Sequence, residues 1–354
     1  MAPYFFNCDW GTSHFRLRLV QAATGAIVFE RASAEGAANL AKSTSQLERG
    51  AHYAKVLSRH VDAVASQIAI DAEQTPILIS GMASSSIGWS DLPYAMLPFR
   101  LDGSDLPWRK LEPISGHPLY LFSGVRADCD VMRGEEMEAI GLGVLTPDLL
   151  QTSHPIWLVL PGTHSKHLCI QYGRINDFRT YMTGELYQLL QEQSSLRHSL
   201  PLERTIASQP SASEQAAFCA GVEKARRGDL TSAIFQVRAK QLLHGDEAAV
   251  SAALLSGIII GDELAALARL RTDDSSIVLC AGATFHPLYR QALEVLGLGR
   301  VVKVVPPRDV DHLSALGQWK LFEGINRATR NHDLDSPVWP SAIPSPASFK
   351  PTSM

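Results

Sequence analysis

The chain has 354 residues, 45% of them apolar and 19% charged, with a formal net charge of −4. This length points to two domains with ample core, and the composition excludes the disordered class. The slight negative charge gives no electrostatic ground for expecting nucleic acid or an anionic membrane as partner.

In chain order, "YFFNC" and "FRLRLV" read as strands joined by a turn over 9–13, and a Thr-Gly turn leads into a third strand, "AIVFE". Residues 44–70 carry helical periodicity, and "PILIS" (76–80) reads as a buried strand ending in "GMASSSIGW". "PLYLFSGV" (118–125) is a further strand, and "GEEMEAIGLGVL" (134–145) a helix with acids in its first turn. The second half then restarts the pattern: strand "IWLVL", turn "PGTHSK", strand "HLCIQ", turn "YGR", strand "INDFRTYM". Helices are expected over 183–197, 213–227, 230–244 and 247–270. A strand "SIVLC", a glycine turn "AGAT", a helix "HPLYRQALEVLG", a strand "VVKVV" and a final amphipathic helix over 311–326 follow. That last helix is expected to pack back on the first half of the chain. The most apolar window, 248–260, is too short to span a bilayer and runs into Asp262 and Glu263, so it reads as a buried helix.

The five cysteines, Cys8, Cys129, Cys169, Cys219 and Cys280, form no C-x-x-C pair, and their number is odd. Buried, reduced thiols in a cytoplasmic protein are the expectation. The N-terminus has no basic segment followed by a long apolar core, so no signal peptide is read.

Repetition of so long a unit implies two similar α/β lobes, residues 1–150 and 151–335, facing each other across a cleft, with a Pro- and Ser-rich tail, 336–354, expected to be disordered. A Gly-Thr-Ser turn presents backbone N–H groups and hydroxyls in one concavity, as phosphate-binding nests do. In "DWGTS" these donors are Gly11, Thr12 and Ser13, with Asp9 placed to hold Mg²⁺ through water. In "PGTHSK" they are Gly162, Thr163 and Ser165, with Lys166 as a point charge. Either hairpin alone reads as a polar turn; two of them opening matching lobes point to a phosphate clamp.

Paired phosphate hairpins in duplicated lobes resemble the superfamily of sugar kinases, Hsp70 and actin, which implies two RNase H-like lobes in an actin-like ATPase fold. "DWGTS" followed by Arg16, "SGMASSSIGW", "VMRGEE", "PGTHSK", "INDFRTYMTGEL" and "AGAT" resemble, in order, the motifs of the 2-dehydro-3-deoxygalactonokinases, over residues 5–330. His14 and His167 depart from that family's pattern, which has an amide or small polar residue and an aromatic there. The resemblance implies ATP- and Mg²⁺-dependent phosphorylation of the terminal hydroxyl of 2-dehydro-3-deoxy-D-galactonate in the cytoplasm. It implies small-molecule partners only, a sugar acid and a nucleotide, and leaves a homodimer open.

On this resemblance the catalytic pair is Asp9 and Glu135, with Glu136, Asp130 and Asp177 as rivals for the base. Gly282 and Ala283 of "AGAT" would let the nucleotide approach the backbone. Ser84, Ser85, Ser86 and Trp89 would meet the sugar, and Arg133 or Arg179 its carboxylate. Two other classes compete: a regulatory or structural ATPase of the same superfamily, and a catalytically silent sugar-acid sensor. His164 and His167 lack a third ligand for zinc, and neither G-x-x-x-x-G-K-[ST] nor G-x-S-x-G occurs.

Overall fold

The computed structural model describes residues 3–43, 45–150, 152–202 and 210–331. The tail from 336 lies outside the described residues. In the first half, β1 (Tyr4–Trp10), β2 (Phe15–Gln21) and β3 (Ile27–Ser33) lead to α1 (Ala37–Ser43), α2 (Arg49–Ala65) and β4 (Ile77–Gly81). Two-residue strands β5 (Ala95–Met96) and β6 (Phe99–Arg100) precede the hairpin of β7 (Trp108–Ile114) and β8 (His117–Phe122). The short β9 (Val125–Arg126) and β10 (Val131–Met132) then bring the chain to α3 (Glu135–Leu145).

The second half repeats the order with β11 (Ile156–Leu160), β12 (Ser165–Gln171), β13 (Arg174–Tyr181) and α4 (Thr183–Gln193). Helices α5 (Ala212–Ala225), α6 (Leu230–His244) and α7 (Ala248–Leu270) follow. The chain then runs through β14 (Ser276–Leu279), α8 (His286–Val295), β15 (Val302–Val304) and α9 (Pro307–Asn331).

The duplication is visible in strand order. One sheet runs β3-β2-β1-β4-β8-β7 and another β15-β14-β11-β12-β13-β6, with β10-β9-β5 a small separate sheet. In each large sheet the first three strands are antiparallel and the next two join the first in parallel. This is the RNase H-like arrangement, made twice, and the fold is the expected actin-like one. A parallel pair needs a crossover: α1 and α2 supply it from β1 to β4, α4 to α7 from β11 to β14 and α8 from β14 to β15, whereas β4 reaches β8 through the serine loop and the strands β5 to β7.

Between the sheets lies a single apolar cluster. It takes Phe5 and Leu78 from the first sheet, Leu158, Leu168 and Val278 from the second, Met137 and Ile140 from α3, and Leu313 from α9. A Cβ on Gly141 would come within 1.9 Å of the Leu313 carbonyl oxygen, and one on Gly317 within 2.1 Å of that of Met137, so α3 and α9 cross in direct backbone contact. The outer faces pack separately, on α2 in the first half and on α5, α7 and α8 in the second.

As expected, α9 returns to the first sheet. Gln318, fully buried, accepts from Asn7 Nδ2 at 2.9 Å and donates to Cys8 O at 3.0 Å and Ser80 Oγ at 2.8 Å, while Trp319 stacks on Phe5 at 4.7 Å. By length and composition α7 could cross a membrane, yet here Leu254 and Ile258 sit in one core cluster and Ile260 and Leu264 in another. Cys8 and Cys280 are buried as expected, but Cys129 is exposed, because it lies in the loop before β10.

Candidate functional site

Strand alternation aims the functional side chains. On β1, Phe5 and Asn7 face α9, and Asp9 is the next residue on that side, paired in register with Arg16. On β12, Lys166 and Leu168 face the central core, whereas Ser165 faces α8 and His167 faces α7. Helix α3 begins between the two hairpins, and its first residue, Glu135, places Oε1 3.7 Å from Lys166 Nζ and accepts from Arg133 N at 3.1 Å. The first half's acid thus meets the second half's lysine.

Each turn is backed by a helix start. Gly11 N donates to His14 O at 2.9 Å, and Ala37 N and Ala38 N of α1 donate to Gly11 O and Thr12 O at 3.0 and 2.9 Å. In the second half Gly184 N and Glu185 N of α4 both donate to Thr163 O at 3.1 Å. A Cβ on Gly36 would stand 2.2 Å from Ser13 C, and one on Gly184 2.7 Å from Gly162 O. These two supporting glycines were missed from sequence; the signal was their matching place after the third strand of each unit. Thr12, Ser13 and Thr163 remain exposed at the turns. Ser165 does not: it is fully buried, accepts from Gly162 N at 3.3 Å and bonds Tyr289 OH at 3.0 Å, so it braces its turn from behind.

Carboxyls crowd this centre. Burial raises Glu135 above the usual carboxylate range, with Lys166 opposing. Burial, then the charge of Glu135, pushes Glu136 and Glu138 each up to about 8, and the charge of Asp9 adds to Glu138. Asp9 is itself raised by burial, against Arg16 and Arg18. The N-terminus of α3 offsets part of this repulsion.

Geometry separates the candidate bases. Glu136 is fully buried and accepts from Gly134 N at 2.8 and 2.9 Å, closing the turn before α3. Asp130 accepts from Thr180 N and Thr180 Oγ1, both at 2.7 Å, fastening its loop to β13. Asp177 is exposed on β13, paired with Cys169. Glu138, one turn beyond Glu135, was not singled out from sequence.

At the serine loop, Arg133 is 3% exposed. It donates to Ser84 Oγ at 2.6 Å, Ser123 Oγ at 3.4 Å and Leu92 O at 2.9 Å, and lies 3.9 Å over the Tyr94 ring. Its Nε is buried without a partner among the described residues. Ser84 donates to Gly81 O at 3.1 Å and Ser85 to Met82 O at 2.7 Å, so both hydroxyl protons serve the loop itself; Ser86 is exposed. Trp89 packs beside Tyr53 and Trp10. Arg179 stands opposite His167 in register, hence on the α7 side of β13, and the structure does not bring it to this loop.

A pocket lined by Gly162, Thr183, Gly184, Tyr187, Ser256, Ile259, Ile260, Phe285 and Tyr289 adjoins the second turn. The Gly282 turn accepts Phe285 N at 3.1 Å and His286 N at 3.0 Å. A Cβ on Gly282 would meet nothing within 4 Å among the described residues, so the space beside it is open there; Ala283 is exposed.

Among the described residues no group of three or more His, Cys, Asp or Glu is arranged to hold a metal. A single half-buried carboxylate, Asp9, beside exposed turn hydroxyls fits Mg²⁺, which keeps most of its water and takes few protein ligands. His164 pairs with Glu185 and His167 with Glu263.

The comparisons with known proteins agree in direction. A family model described as 2-keto-3-deoxy-galactonokinase matches residues 9–319. The chain is 34% identical over 304 residues to a Rhizobium meliloti protein named "Probable 2-dehydro-3-deoxygalactonokinase DgoK1", covering 84% of this chain and 91% of that one. It is 31% identical over 309 residues to the Escherichia coli 2-dehydro-3-deoxygalactonokinase, with the same coverage. A crystal structure of a 2-dehydro-3-deoxygalactonokinase homologue from Sinorhizobium meliloti superposes with a TM-score of 0.72 at 31% identity, over 91% of this chain and 99% of that one.

Proposed function

Because this chain belongs to the 2-keto-3-deoxy-galactonokinase family, we propose that its cleft transfers the γ-phosphoryl group of ATP to the terminal hydroxyl of 2-dehydro-3-deoxy-D-galactonate, giving the 6-phosphate and ADP. The observation that carries this is the 3.7 Å approach of Glu135 and Lys166 between the two hairpin turns. Phosphoryl transfer asks mainly for positioning and charge neutralisation, and this arrangement supplies both.

Gly11, Thr12 and Ser13 face the phosphates from one side, and Gly162, Thr163 and Lys166 from the other. The nucleotide lies past Gly282, with its phosphates at the Gly162 turn that borders the small pocket of Tyr187, Ile259 and Phe285. Glu135, held by the Arg133 amide, accepts the proton of the attacking hydroxyl as the oxygen–phosphorus bond forms and ADP leaves. Lys166 offsets negative charge on the transferred group. Mg²⁺ would sit on Asp9 and neutralise phosphate charge there. The sugar acid lies over the Met82–Trp89 loop, which Arg133 fixes to the start of α3. Arg133, whose guanidinium also lies 3.8 Å from the exposed Asp91, is the cation beside that loop for the sugar carboxylate. This reading places the reaction in the cytoplasm, where ATP is available.

The test is ADP release with Mg²⁺-ATP against 2-keto-3-deoxygalactonate, its gluconate epimer, simple hexoses and no sugar. Turnover confined to the keto-deoxy acids, highest with the galactonate-derived one and abolished by a chelator, is the expected result. Sugar-independent hydrolysis would replace the proposal with a regulatory ATPase. Sugar binding without ADP would replace it with a sensor.

A further inference from the structure

Behind the second turn lies a buried carboxylate that the reaction above does not use. Glu263, in the middle of α7, is 1% exposed. Its Oε1 meets His167 Nε2 of β12 at 2.8 Å, and its Oε2 accepts from Tyr289 OH of α8 at 2.7 Å and from Thr183 Oγ1 at the start of α4. His167 is fully buried and Tyr289 is 1% exposed.

The hydroxyls form a directed chain. Tyr289 has one proton, and the carboxylate can only accept, so Tyr289 donates to Glu263 and must accept from Ser165 Oγ at 3.0 Å. Ser165 Oγ in turn accepts from Gly162 N at 3.3 Å. Burial and the neighbouring Glu263 hold the Tyr289 phenol well above its usual range, so it stays a protonated donor. Every link therefore points from the turn toward Glu263. The chain ends at the pocket, since Gly162, Thr183 and Tyr289 all line it.

We propose that Glu263 is the positioning residue of the nucleotide half-site. By accepting from α4, α8 and β12 together, it fixes the Gly162 turn and the α4 start at the spacing that the nucleotide phosphates require. It touches neither substrate, and the sugar side of the cleft does not depend on it. This inference rests on the reading of that pocket as the nucleotide site.

The experiment compares wild type with Glu263→Gln and Tyr289→Phe for kcat, both KM values, ADP affinity by calorimetry, and thermal unfolding. A glutamine at 263 must turn one N–H₂ toward a group that was donating, so it reverses one link. Removing the Tyr289 hydroxyl deletes a link while keeping the ring. The expected result is a rise of roughly tenfold in KM for ATP and Kd for ADP in Glu263→Gln. A smaller rise is expected in Tyr289→Phe, with KM for the sugar acid within about twofold in both. Folded variants with wild-type ADP affinity, or an equal rise in both KM values, would overturn the inference. If Glu263→Gln does not fold, Tyr289→Phe decides by the same criteria. Gly162→Val serves as the separate control on the pocket itself. If it leaves ADP affinity unchanged, the nucleotide-site reading has failed; if it abolishes ADP binding while Tyr289→Phe does not weaken it, only the role of Glu263 has.

Discussion

Glu135 and Glu136 are adjacent in sequence and opposite in role, which makes them the sharpest test at the residue scale. Glu135 reaches Lys166 across the cleft, whereas Glu136 turns inward onto Gly134 N. Glu135→Gln should lower kcat by roughly 10²- to 10⁴-fold with little change in unfolding temperature. Glu136→Gln should instead alter the pH dependence of stability. Its carboxyl has a pKa near 8 in the folded protein, against an ordinary 4.5, so the folded state binds the extra proton between those values. Stability from this group is complete below about pH 4.5 and is lost as pH rises through about 8. Thermal unfolding of the ligand-free wild type should therefore fall from pH 5 to pH 8.5, and Glu136→Gln should flatten part of that slope. An unchanged slope would remove Glu136 as its cause. Asp9 and Lys166 stand out in the sequence because each sits beside a Gly-Thr turn whose chemistry is local, whereas Glu135 is pointed to only by the resemblance of "VMRGEE"; the structure brings Glu135 and Lys166 together. The direction of Ser165 was also there to be read: period-two alternation sets it opposite Lys166. Glu263 was not, since nothing in an apolar helical run tells which of two adjacent acids, Asp262 or Glu263, turns inward.

At the scale of elements, the two helix starts that brace the turns carry the next prediction. Replacing glycine by alanine near the start of a helix ordinarily stabilises it, by up to about 1 kcal/mol in a helix interior. At Gly184 the sign should reverse, because the new Cβ would lie 2.7 Å from both Gly162 O and Thr163 Cα. Gly184→Ala should lower the unfolding temperature and raise KM for ATP, with KM for the sugar acid nearly unchanged. A stabilised variant with normal nucleotide affinity would show that the turn has room to move. Strands β1, β2, β4 and β11 could be read in advance because both their faces or one face are mostly apolar. β7 could not: Trp108–Ile114 is an edge strand, mostly exposed, with Arg109, Lys110 and Glu112 along it. Edge strands of this kind carry charge against unwanted pairing, and their sequence reads as loop. The two-residue β6 was equally hidden, since its pairing with β13 depends on how the two halves meet.

For the whole molecule, the two sheets share a central core in addition to the separate clusters on their outer faces, and this bears on how the protein unfolds. The central cluster draws on both sheets together with α3 and α9, and α9, the last described helix, is bonded to the first strand through Gln318. A lobe cannot lose its packing without exposing its partner's inner face, so the usual independence of domains should not hold here. Removing the Gln318 amide leaves the donor of Asn7 and the carbonyl of Cys8 without this partner in a buried site. A buried group left unsatisfied costs about 1–3 kcal/mol, and Asn7 Nδ2 keeps Ser314 Oγ at 3.3 Å. Gln318→Leu should thus destabilise by about 1–3 kcal/mol, and the loss should be shared. Far-ultraviolet circular dichroism follows the helices of both halves, while fluorescence follows Trp10, Trp89 and Trp108 in the first half and Trp319 on α9, with Trp157 in the second sheet. The denaturant midpoints of all probes should coincide in the wild type and shift together in the variant. Two separated transitions, with only the first sheet's tryptophans responding to Gln318→Leu, would mean that the halves fold alone and that α9 belongs to the first of them.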